Sequence, residues 1–135
     1  MGEIAALEVE ILGLELAPGA PEAPEVERLV SLAVASAGVR DGHVAVAFVT
    51  PEAIAELNAE HRGKEGPTDV LSFPIDEADA DVPAGMRELG DIVICPPHTE
   101  DLREAIVHGA LHLVGMDHET DDGEMLALQA EILSW

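Results

Sequence analysis

Apolar and charged residues alternate near the start of the chain. Leu7, Val9 and Ile11 are separated by Glu8 and Glu10, the period-two pattern of a half-buried strand. Gly13 breaks that phase and predicts a β-bulge. After a Pro-rich loop at residues 18–24 the period changes. Val26, Leu29, Val30, Ala33, Val34 and Ala37 recur at helical spacing, with Pro24 suited to the first turn and Gly38 to the stop. The Val-rich run at 43–49 predicts a second strand. Thr50, Pro51 and Glu52 then supply an N-cap, a first-turn proline and an acid for the helix dipole, and this helix is expected to end at about His61. Residues 69–74 and 91–95 predict two more strands, and 75–85 between them an acidic, solvated loop. Thr99, Glu100 and Asp101 open a third helix by the same capping logic, and a fourth begins at about Thr120. The order β-α-β-α-β-β-α-α predicts an α+β fold: one domain over residues 1–135, with a small mixed four-stranded sheet packed against about four helices.

Composition narrows the class. At 135 residues with 47% hydrophobic content, the chain is long enough to bury a core and too apolar to be disordered. A formal charge of −22 excludes a protein that holds nucleic acid by bulk positive charge, so any contact with RNA must use the few cations locally. The single cysteine, Cys95, excludes an internal disulfide and a Cys-rich zinc module, and it suits a reducing compartment. The N-terminus does not read as a signal peptide, and the longest apolar stretch, residues 29–39, is too short to span a bilayer. A soluble, cytoplasmic protein is expected.

The chemistry concentrates in HGALHLVGMDH, residues 108–118. His108 and His112 are four apart and therefore one turn apart on the same face of a helix. Gly115 can adopt the positive φ that ends the helix, after which the chain can double back and bring in His118. Three imidazoles leave one tetrahedral position open, the arrangement of a catalytic zinc. On a helical wheel Asp101, Glu104 and His112 cluster around His108 while nearly every other position is apolar, so a buried helix carries one polar stripe. Burying two unpartnered histidines costs roughly 1–3 kcal/mol each, a conflict that a bound cation removes. With six histidines in 135 residues, this spacing arises by chance in roughly one such chain in a hundred. The spacing matches the metzincin pattern HExxHxxGxxH except that Gly109 stands where the peptidase needs its glutamate base, which disfavours peptide hydrolysis.

Other residues read less sharply. Arg62 and Lys64, two of six cations, are expected just past a helix end, either as a solvated loop or as a phosphate-contacting pair. Thr68-Asp69 and Gly90-Asp91 read as turns before strands, and Cys95 as a buried strand residue rather than a fourth ligand. Asp117, Glu104 and Asp69 are candidates for orienting a ligand histidine or shuttling a proton.

The blocks LNAEHRGKEGPTDVLSFP at 57–74, LGDIVI at 89–94 and HGALHLVGMDH at 108–118, in that order, resemble the YbeY family of bacterial endoribonucleases, also described as rRNA maturation factors. The resemblance covers about residues 41–133. It implies a zinc-dependent, single-strand-specific endoribonuclease acting in 16S rRNA 3′-end maturation, other rRNA processing and ribosome quality control. It also implies one Zn²⁺ per chain on His108, His112 and His118, a role in activity for Arg62, and rRNA or the 30S subunit as partner, with neither membrane nor DNA. The segment 95–107 is shorter than is usual in that family, and Met116 stands where an aromatic is common. Two alternatives remain: a non-catalytic ribosome-assembly factor with a structural zinc, and a zinc hydrolase of other substrates, which Gly109 discourages. Three imidazoles also suit Ni²⁺, Co²⁺ and Fe²⁺.

Overall fold

The computed structural model describes residues 7–39, 41–75, 88–115 and 123–134. Its elements are β1 (Leu7–Leu12), α1 (Ala23–Ala35), β2 (Gly42–Phe48), α2 (Pro51–Arg62), β3 (Val70–Pro74), β4 (Glu88–Ile94), α3 (Leu102–Leu113) and α4 (Glu124–Leu133), with 3-10 turns at Leu14–Leu16 and Pro96–His98. The expected order and α+β class hold. The sheet runs β1-β2-β4-β3, with the first three strands parallel and β3 antiparallel at the edge.

Period-two alternation divides the sheet into two faces. Ile92 and Ile94 of β4 join Val44 and Val46 of β2 in the main core with α1, α3 and α4. Val93 and Leu71, which pair across β4 and β3, point the other way into a smaller cluster with Ile54 of α2 and Cys95. α3 therefore lies on one side of the sheet and α2 on the other. Among the described residues, no helix is long and apolar enough to cross a membrane.

Several local expectations shift. The bulge predicted at Gly13 lies instead where β2 meets β4: His43 pairs with Glu88 and Val44 with Gly90. Gly90 reads as a turn in the sequence, yet it sits inside β4 at φ +139, where an added Cβ would meet the Phe73 carbonyl oxygen at 2.2 Å. β4 thus begins three residues earlier than the predicted Asp91 and ends at Ile94, leaving Cys95 just beyond it. Gly13, at φ +73, ends β1 and caps the first 3-10 turn. Thr99 does not cap α3, because its hydroxyl donates to the Cys95 carbonyl; Asp101 does, its Oδ1 accepting from Glu104 N–H at 3.1 Å. Thr50 caps α2 as expected, accepting from Ala53 N–H. Arg62 is the last residue of α2 rather than a loop residue, since the left-handed Gly63 ends the helix one position later than predicted. The expected start of the last helix at Thr120 lies outside the described residues, as does nearly all of the predicted 75–85 loop.

An ion cluster ties α1 to α3. The Glu25 carboxylate accepts from Arg28 at 2.7 and 3.0 Å and from Arg103. The Arg28 hydrogen bond, followed by Arg103, holds the Glu25 carboxyl down at about 2 from its ordinary 4.5. A depressed carboxylate stabilises the fold above its unfolded pKa and loses that contribution as pH falls through its folded one. The wild type should therefore show a loss of stability between about pH 4.5 and 2 that Glu25→Gln lacks, by urea unfolding at each pH. At 1 M salt the difference should shrink, because the pair is partly exposed.

Candidate metal centre

α3 is the buried helix that the apolar pattern predicts, and its position depends on one missing side chain. A Cβ at Gly109 would lie 2.5 Å from Ile92 Cγ2 and 3.3 Å from both Ser72 Oγ and Val70 Cγ2. Ser72 Oγ donates to the Gly109 carbonyl at 2.9 Å, so helix and sheet approach to hydrogen-bonding range. This contact orients α3 so that the residues on either side of Gly109 in the i, i+4 stripe, His108 and His112, emerge half-buried along one edge of the helix.

The two rings meet edge to face with centroids 4.7 Å apart, and their Nε2 atoms lie 3.1 Å from each other. Two ligands on a tetrahedral zinc, each at 2.0–2.1 Å, are roughly 3.3–3.4 Å apart. The pair is thus already close to the separation that a shared ion requires. His108 Nδ1 lies 2.8 Å from Oε1 of Gln129, a buried residue of α4. The chain turns at Gly115, φ +95, as the helix stop requires. His118, Met116 and Asp117 lie outside the described residues. Among the described residues no third His, Cys, Asp or Glu joins the pair in a ligand set.

Beside His108 opens a cavity of about 490 Å³. Asp69, Glu100, Asp101 and Glu104 line it, an acidic surround that favours a cation over an anion. His98, at the end of the second 3-10 turn, faces the same cavity; nothing in the sequence singles it out, because the turn that carries it there is set by the short 95–101 connection. Asp69 is engaged locally, its Oδ1 accepting from Val70 N–H at 2.8 Å. Cys95 is fully buried on the face of the sheet away from α3, and burial pushes its thiol pKa up. It packs as an apolar residue there.

Arg62 stands on a different helix from the imidazoles. It is exposed at the C-terminal end of α2 and does not line the cavity. Its surroundings are nevertheless ordered. His61 stacks edge to face on Phe73 of β3 at 4.9 Å, and the buried Asn58 donates to the Gly66 carbonyl at 2.9 Å. That bond pins the loop running from Gly63 to Asp69 at the cavity rim.

Fold and site define a class: a small mixed-sheet α+β protein with paired imidazoles on the buried helix beside an acidic cleft. The profile of the family described as Endoribonuclease YbeY matches residues 23–135. Curated relatives of the same name include one from Rubrobacter xylanophilus, 47% identical over 97 residues (70% of this chain, 67% of that one). Another, from Bacillus velezensis, is 40% identical over 129 residues, covering 81% of this chain and 82% of its own length. The solution structure of TM1509 from Thermotoga maritima resembles this fold with a TM-score of 0.52 and 29% identity, covering 93% of this chain and 87% of that one. The chain belongs to the endoribonuclease YbeY family.

Proposed function

We propose that the protein is a zinc-dependent, single-strand-specific endoribonuclease that acts in 16S rRNA 3′-end maturation, other rRNA processing and ribosome quality control, in the cytoplasm and on rRNA or the 30S subunit. The observation that carries this reading is the approach of His108 and His112 through Nε2 at 3.1 Å, next to a cleft, in a chain of this family. His108, His112 and His118 would hold the ion, one per chain. Zinc bound there supplies Lewis acidity and an acidified water.

The chain's own residues do the rest. Asp69 and Glu104 line the cavity and would be the acceptors that take a proton from the attacking water. The Arg62 guanidinium, at the C-terminal end of α2 beside the 63–69 loop, would donate to the phosphoryl oxygens as charge builds on them, and Lys64 would add a second cation there. At −22 the surface repels RNA elsewhere, which restricts binding to this rim and favours slow encounter at low salt.

The test is cleavage of a single-stranded RNA bearing the 16S 3′ end by zinc-loaded protein freed of contaminating nuclease. Arg62→Ala should lower the rate by about 10²-fold, the scale of one lost transition-state donor, with zinc content unchanged. The same acidic charge supports a second reading, an assembly factor with a structural ion. That reading requires Arg62→Ala to leave rRNA processing intact in cells.

A further inference from the structure

We infer that Gln129 is the positioning residue of the candidate metal centre: it fixes the tautomer and ring orientation of His108 so that Nε2 presents its lone pair toward His112. The inference rests on the zinc reading above and extends it to a residue on another helix.

Gln129 Oε1 can only accept, so its 2.8 Å contact with His108 Nδ1 requires the hydrogen on Nδ1. A neutral imidazole with Nδ1–H has a bare Nε2, and Nε2 is the atom that faces His112. Metal-bound histidines characteristically donate their second ring N–H to a carbonyl or carboxylate, which sets tautomer and orientation. The amide oxygen does this without adding charge. Gln129 is itself held: only 8% exposed, it lies on α4 between Met125 and Ile132, both fully buried in the core. Its oxygen therefore has little freedom to follow a wandering ring. An amide at a core-facing helix position is otherwise hard to explain, since burying it costs free energy unless it is hydrogen-bonded.

The decisive variants are Gln129→Met, which keeps length and removes the acceptor, and Gln129→Glu, which keeps the acceptor. Zn²⁺ affinity is measured by competition with a chromogenic chelator. Expected are a 10- to 100-fold weaker Kd for Gln129→Met, the range for a lost partner of a ligand, and no weakening for Gln129→Glu. Long-range ¹H–¹⁵N spectra of the metal-free wild type should show His108 protonated at Nδ1, a readout that survives even if a variant fails to fold. A purely structural glutamine predicts equal affinity for the two variants, or an Nε2–H tautomer at His108, and either result overturns the inference. If Gln129→Met binds zinc as tightly as wild type while His108→Ala loses it, the positioning role is wrong and the metal reading stands. If His108→Ala also keeps wild-type affinity, both fall.

Discussion

His112→Ala should lose stoichiometric zinc and cut single-stranded RNA at least about a thousandfold more slowly than wild type. A catalytic ion contributes several kcal/mol to transition-state stabilisation, and about 4 kcal/mol corresponds to roughly three powers of ten in rate. The variant should stay folded. His112 is only half-buried, at the edge of α3, and that helix is held by the fully buried Ile106, Ala110 and Leu111, which the substitution leaves alone. The substitution removes the N–H···N contact to His108, worth about 0.5–1.5 kcal/mol. Elemental analysis of metal per chain, thermal unfolding and cleavage kinetics on the same preparation separate the two effects. One ion per chain in His112→Ala, or activity within tenfold of wild type, would overturn the assignment of His112 as a ligand.

How much of this was legible in the sequence differs by residue. The α2 cap at Thr50 and the helix stop at Gly115 could be read because they are local: one side-chain oxygen or one positive φ decides them. The imidazole stripe was legible for the same reason, since i, i+4 spacing fixes neighbours on any helix. At Gly90 a glycine before an acid signals a turn, and only the pairing of β4 with both β2 and β3 makes that glycine part of a bulged strand. Gln129 carried no signal. It stands 21 residues from His108, and which face of α4 meets α3 is set by packing around Met125 and Ile132. Among the candidate orienting groups, Asp69 and Glu104 do reach the cavity, yet the group on His108 Nδ1 is neither of them.

Gly109 changes meaning most between sequence and structure. Beside the first histidine it reads as a missing catalytic base; in the fold it is the contact that lets α3 approach β3 and β4. Restoring the metzincin glutamate should therefore disrupt the fold rather than create a peptidase. Gly109→Ala is the milder probe. Alanine gains about 1 kcal/mol of helix propensity, but its Cβ at 2.5 Å from Ile92 Cγ2 forces a β-branched strand side chain, stiff at χ1, to move. Overpacking of this kind costs about 1–3 kcal/mol against that gain of about 1 kcal/mol, so a net destabilisation of up to about 2 kcal/mol is expected from urea midpoints. Gly109→Glu adds the burial of a carboxylate next to the same contact and should cost more than about 4 kcal/mol, a large share of the ~5–15 kcal/mol that holds a domain together. Because the one approach under 3 Å is to Ile92 Cγ2, most of the clash should be relieved in an Ile92→Ala background, where Gly109→Ala should cost less than it does in wild type. An alanine variant more stable than wild type would mean that helix propensity outweighs the contact, and that α3 owes its position to something other than the bare backbone at 109.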